Sequence, residues 1–134
     1  MATYDDVASV ALGLPDVTEG TRYRGWRSWQ VGRAVFAWER PFSKADVRRF
    51  DDAPVPGGPI LAVATEDLEE KEALLAAHGS ACLTIPHLDG YPAVLVRLDR
   101  LGGADDAELC ELVVDAWFAK APPALAERHR DLLG

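Results

Sequence analysis

Cysteine is scarce in this chain, with two among 134 residues. Cys82 and Cys110 lie in apolar settings, ACLTI and ELCELVVDAW, and neither belongs to a CxxC pair. That excludes a thiol redox motif and a cysteine zinc site, and leaves small buried thiols as the expectation. Histidine is nearly as rare. His78, His87 and His129 are far apart, and no HxxxH or HExxH spacing occurs, so no metal or other cofactor is expected. Long apolar runs are missing, none approaching the roughly 20 residues of a membrane span. A basic leader is missing too. The first residues, MATYDDVASVALGLPD, are acidic, so the cytoplasm is the expected compartment and a membrane partner is not expected. There is no internal repeat and no low-complexity tract.

What remains is an ordinary globular balance, 49% apolar and 27% charged. The length suits one domain, taken as residues 1–134, and lets roughly two-thirds of the unfolded surface be buried without a disulfide or metal.

Charge is plentiful but unevenly spread. Arg22, Arg24, Arg27, Arg33, Arg40, Lys44, Arg48 and Arg49 fall in one segment that contains only Glu39 and Asp46 as acids. A local excess of six positive charges therefore sits in a chain of net charge −8. Tyr23, Trp26, Trp29, Trp38 and Phe42 interleave with those bases. Basic side chains can hold phosphates and exposed aromatics can stack on unpaired bases, which makes these eight residues the candidate nucleic-acid contacts. The competing reading pairs the arginines with acids elsewhere in the fold and places the tryptophans in the core. The acidic remainder predicts that any nucleic-acid binding is weak and steeply salt-dependent.

Apolar spacing predicts a helix over 3–13, capped by Thr3 with Asp6 and ended by Gly13 and Pro15. Strands are predicted over 26–31 and 34–40, joined at Gly32-Arg33. Strict alternation puts Trp29 with Val31 on one side and Phe36 with Trp38 on one side. It also puts Arg27 on the face of Trp29, which requires an edge position or a bulge. Ser43 is placed to cap a short helix in SKADVRRF, and DDAPVPGGP reads as a surface excursion. ILAVA, 60–64, reads as an interior strand. A helix follows over 67–77, with Asp67 and Glu70 at capping-box spacing. The acids Glu66, Asp67, Glu69, Glu70 and Glu72 complement that helix start without any metal. Strands are predicted over 81–85 and 93–98, with Val94, Val96 and Leu98 lining one face. A long helix over 104–121 carries the stripe Leu109, Leu112, Val113, Ala116 and Trp117. Pro122-Pro123 breaks it, and a last short helix covers 124–133. The predicted fold is therefore α+β with two layers, an antiparallel five-stranded sheet with helices on one face, in the order α-β3-α-β2-α plus a C-terminal helix.

PHLDGYP, 86–92, concentrates His87, Asp89 and Tyr91 beside Gly90 and between two prolines. The two prolines and Asp89-Gly90 are what a rigid turn requires. The same three polar side chains are candidates for a ligand or partner loop. Catalysis would need a nucleophile, an oriented base and a charge-stabilising group together, and no such set is visible, so the chain is not expected to be an enzyme.

LPDVTEG, DLEEKEALLAA, IPHLDGYPAVLVRL and ELCELVVDAWFAKAP occur in the order seen in the MmcQ/YjbR-like family, which this chain resembles over nearly its whole length. The resemblance implies a small α/β protein with an antiparallel sheet, similar to type III secretion chaperones and often compared with frataxin. It implies a DNA-binding role through a double-wing arrangement of the sheet. The chaperone-like fold raises a protein-interaction module as the alternative, and the loop at His87, Asp89 and Tyr91 raises small-molecule binding.

Overall fold

The structure, a computed structural model, describes residues 1–49 and 58–133. Most of the DDAPVPGGP excursion lies outside the described residues. The chain opens with helix α1 (Tyr4–Leu12). Thr3 and Asp6 cap it reciprocally, the Thr3 side chain accepting from the Asp6 amide and Asp6 accepting from the Thr3 amide. Three strands follow, β1 (Val17–Thr21), β2 (Arg27–Val31) and β3 (Ala34–Glu39). A short helix α2 (Lys44–Arg49) precedes β4 (Ile60–Ala64) and helix α3 (Leu68–Ala77). Then come β5 (Cys82–Leu83), β6 (Ala93–Arg97), the long helix α4 (Ala107–Lys120) and α5 (Pro123–Arg128). A 3₁₀ turn over Arg130–Leu133 ends the described chain, so the last predicted helix is broken at His129.

Among the described residues, six strands form one sheet in the order β1-β2-β3-β4-β6-β5, every pair antiparallel. This corrects the expected count of five. The additional strand is VTEGT, which lacks apolar alternation and exists by pairing with β2, Glu19 opposite Trp29 and Thr21 opposite Arg27. The 81–85 strand contracts to two residues, because the chain leaves β6 at Ile85 to enter the 3₁₀ turn Pro86–Leu88.

Two residue rows run across the sheet and define its faces. On one face Glu19, Trp29, Ala37, Val63 and Val94 are successive partners. This face carries the larger core, in which Val7 and Ala11 of α1, Leu74 of α3 and Leu109, Leu112, Val113, Ala116 and Trp117 of α4 cover the strands. Fully burying such aliphatic side chains stabilises by roughly 1.5–3 kcal/mol each. The Trp117 indole donates to the Pro15 carbonyl at 3.0 Å, tying α4 to the turn after α1. On the other face the row is Gly20, Ser28, Trp38, Ala62, Leu95 and Leu83. A smaller cluster forms there from Ile60, Ala62, Ile85, Leu88 and Leu95, with Trp38, Phe42 and Leu83 against it. The outer face is thus covered at one end by loops, with the helical core on the opposite side.

Phe36 and Trp38 lie on opposite faces, which corrects the alternation argument. Trp29 pairs with Ala37 but Gln30 pairs with Val35, so Phe36 is an extra residue on β3. A β-bulge of this kind keeps Phe36 and Ala37 both in the helical core and sends Trp38 outward. Val94, Val96 and Leu98 share the helical face, as the spacing predicts. ILAVA is buried along its whole length between β3 and β6, the pattern of a strand packed on both faces.

Candidate functional site

The β1–β2 connection is a compact turn. The Arg22 amide donates to the Trp26 carbonyl at 2.7 Å, and the Gly25 amide to the Arg22 carbonyl at 2.9 Å. Closing it places Arg24 at φ 62° and Gly25 at φ 76°. Glycine adopts that region freely, but for arginine it costs on the order of 1 kcal/mol or more. The turn projects Arg24 and Trp26 over the outer face. Arg22 lies across the Trp38 ring, its guanidinium carbon 5.0 Å from the ring centroid.

After β3 the chain turns at Pro41 into α2. Ser43 and Asp46 cap this helix reciprocally, the Ser43 amide donating to Asp46 at 2.9 Å and the Asp46 amide to the Ser43 hydroxyl at 3.1 Å. The Asp46 carboxylate, 1% exposed, also accepts from Arg40 at 2.9 Å. Burial alone would raise its pKa. The Ser43 amide and the Arg40 guanidinium outweigh that and hold it below the ordinary aspartate value. Arg40 is therefore charge-balanced where it stands.

The third wall is the turn Pro86–Leu88. Lys71, only 6% exposed, fixes the loop that contains it. Its ammonium donates to the carbonyls of Leu88 at 2.7 Å and Tyr91 at 2.8 Å. Desolvation lowers the Lys71 pKa, and the Asp89 carboxylate partly opposes the shift. Gly90, at φ 78°, lets the loop reverse into β6.

These three walls enclose a cleft of about 510 Å³ lined by Arg24, Trp26, Arg40, Pro41, Phe42, Ser43 and His87. The volume lies in the range of small-ligand pockets. A basic residue of the 22–49 segment and the histidine of PHLDGYP thus share one site, although they are over 60 positions apart in the chain. Lys44 and Arg48 are exposed on α2, one turn apart and beginning next to Ser43.

The other candidates separate from this site. Arg27, the first residue of the inner strand β2, lies on the helical face, where it bonds Glu19 twice and Asp5 at 2.7 Å, with its guanidinium carbon 5.4 Å from the Trp29 ring centroid. Its hydrogen bond depresses the Glu19 pKa, with burial opposing. Arg33 is exposed in the β2–β3 turn, about 15–20 Å along the strands from Arg24. The Arg49 side chain lies outside the described residues. Asp89 lines a separate depression of about 270 Å³ with Leu68, Lys71, Glu72, Leu75, Thr84 and Gly90. Tyr91 is 49% exposed. His87 and Asp89 therefore line different depressions, and Tyr91 is in the described lining of neither.

Two groups escaped the sequence reasoning. The Arg40–Asp46 pair is within the basic segment but neutralises part of it. Lys71, in an otherwise acidic helix, is the second. No group of three or more histidine, cysteine, aspartate or glutamate side chains among the described residues could hold a metal ion. Asp67 caps α3 through the Glu70 amide, and Glu70 reaches back to the Glu66 amide at 2.9 Å. Burial pushes the Cys82 thiol up to about 12, which keeps it protonated and unreactive. No helix among the described residues is long and apolar enough to cross a membrane.

The family model described as YjbR matches residues 12–119. This chain belongs to the YjbR family. That range takes in the sheet and α4, so the YjbR match covers most of the architecture around the cleft. Similar proteins include "Uncharacterized protein Mb2600" of Mycobacterium bovis and "Uncharacterized protein Rv2570" of Mycobacterium tuberculosis. Each is 42% identical over 130 residues, covering 95% of this YjbR chain and 95% of the relative. No solved structure matches this YjbR protein.

Proposed function

We propose that this YjbR protein is a binding protein rather than an enzyme, and that it contacts nucleic acid through the cationic end of the outer sheet face. The observation that carries the reading is that Arg24 and Arg40 line a cleft together with Trp26 and Phe42, with Arg22 over the Trp38 ring and Lys44 and Arg48 exposed on the helix that begins beside Ser43. Phosphate oxygens are the natural partners of such cations, and the aromatics supply faces for bases. The acidic balance of the chain does not oppose this. Glu69, Glu70 and Glu72 lie on α3, and Glu108, Glu111 and Asp115 on α4, the helices of the opposite layer. A positive end and a negative back orient the molecule toward a polyanion. Among the described residues that line the cleft, His87 and Ser43 occur without a carboxylate, which supports binding over acid–base chemistry.

The test is a titration of labelled oligonucleotide against wild type and two charge-reversed variants. Changing Arg24, Lys44 and Arg48 to Glu together abolishes binding, whereas Arg33→Glu leaves it within about twofold. With about four phosphate contacts, the wild-type slope of log K against log salt on single strands is about −3. Saturable binding that survives the triple reversal, or no binding at low salt, removes the reading.

A further inference from the structure

We propose that the depression between α3 and the end of β5 docks an extended basic segment of a partner protein, which adds a strand beside β5 and places one lysine or arginine side chain in the depression. This surface is independent of the nucleic-acid reading above.

The first reason is the lining. The depression holds about 270 Å³, just below the range of small-ligand pockets, and suits a single long side chain. Leu68, Glu72 and Leu75 fall at i, i+4 and i+7 of α3 and form one wall as a stripe. Thr84 and Asp89 come from the other side of the chain, after β5 and in the loop before β6. Leu68 is half exposed, so the apolar part of the wall is open to a partner. Two leucines beside two carboxylates match a side chain with an alkyl stem and a cationic tip.

The second reason is charge. Lys71 also lines the depression, but its ammonium is buried and committed to the Leu88 and Tyr91 carbonyls at 2.7 and 2.8 Å. The Glu72 carboxylate is exposed, and neither it nor the Asp89 carboxylate forms a hydrogen bond or ion pair among the described residues. Two carboxylates against one ammonium leave an excess of one negative charge in the lining. A cation entering there neutralises that excess, and an anion is repelled.

The third reason is the sheet edge. Among the described residues β5 is the last strand of the sheet, with no strand on its outer side. The Arg97 amide donates to the Ala81 carbonyl at 2.7 Å, and Leu83 lies opposite Leu95. Bonded and non-bonded pairs alternate along an antiparallel ladder, so the amide and carbonyl of Thr84 point away from β6. Thr84 is exposed, and these two groups have no backbone partner among the described residues. Its side chain continues the phase of Cys82, which lies in the core beneath α3 and α4. A residue paired with Thr84 on an added strand therefore directs its own side chain to the face where α3 lies. Because β5 is two residues long, few backbone bonds can form, and the pocketed side chain carries the selectivity.

The test is an amide-shift titration of the isotopically labelled full chain with the capped pentapeptide Ser-Val-Lys-Val-Ser. The expected result is saturable shifts at 68–75, 82–84 and 89–90. Norleucine in place of the lysine, which keeps the stem and removes the charge, weakens binding at least about tenfold, the scale of one charge-assisted hydrogen bond. Methylating the backbone amide of the lysine, which removes its bond to the Thr84 carbonyl, weakens binding about fivefold. Glu72→Gln and Asp89→Ala together bring the lysine peptide down to the norleucine level, while Glu111→Gln on α4 leaves it within about twofold. Equal affinity for the lysine and norleucine peptides overturns the inference, as does equal loss from Glu111→Gln, which would assign the attraction to the general acidity of the chain. Full affinity of the methylated peptide overturns the added strand, and no shifts at high peptide concentration overturn the whole. None of these outcomes bears on nucleic-acid binding.

Discussion

Lys71 is the residue whose role most exceeds its appearance. In DLEEKEALLAA it looks like a surface charge on a solvated helix, yet its ammonium is buried and satisfies two carbonyls of the loop that presents His87. Lys71→Met keeps the length of the side chain and strands those carbonyls. Such a loss costs about 1–3 kcal/mol, to be read as a lower midpoint in urea unfolding with an unchanged slope. An unaltered midpoint would mean that water replaces the ammonium at no cost. Arg27 shows the opposite relation between sequence and structure. Alternation placed it on the face of Trp29 and demanded an edge or a bulge. The strand is an inner one, and Arg27 is accommodated at its first position, where Glu19 on the outermost strand and Asp5 on α1 meet it. Residue chemistry was therefore readable where a pattern forced a choice, and unreadable where, as with Lys71, the partners are backbone atoms 17 and 20 positions away.

Among the elements, those with strong periodicity or caps were legible: α1 with Thr3 and Asp6, α3 with Asp67, α4 with its apolar stripe and ILAVA as an interior strand. β1 was not legible, because an edge strand need bury little and VTEGT has no apolar face to announce it. The phase of Trp38 was lost for a different reason. A single extra residue at Phe36 reverses the side of everything beyond it, and no local composition marks that bulge. The packing of α3 beside α4 carries its own prediction. Burial raises the pKa of Asp115, with Glu111 adding to it and His78 opposing. Burial likewise raises Glu70, against the lowering bond from the Glu66 amide, with Asp115 adding repulsion. A carboxyl whose folded pKa is raised stabilises the fold fully below its unfolded value and loses that contribution as pH climbs through the folded value. Asp115→Asn is therefore expected to raise the melting temperature at neutral pH. Its advantage disappears below the ordinary aspartate value of 3.8, where the wild-type carboxyl is itself protonated. Thermal melts of both proteins across that range check it, and an advantage that is constant with pH would contradict the charge argument.

At the scale of the whole molecule, one sheet separates two unlike surfaces. Acid-rich helices cover one face, while the other carries at one end the cleft lined by Arg24, Trp26, Arg40, Phe42 and His87. The charge asymmetry of the 22–49 segment was visible in the sequence, but its division among a cleft, the helical face and a distant turn depends on strand pairing. So does the joining of His87 to Arg24, which local sequence gave no means to infer. We propose this end of the outer face as the place where nucleic acid is held. Amide chemical-shift mapping of the isotopically labelled protein with oligothymidylate tests it without any mutation. Shifts are expected to concentrate at 22–28, 38–48 and 86–88, with α1 and the exposed side of α4 unmoved. Shifts centred on those helices, or none at saturating strand in low salt, would contradict it.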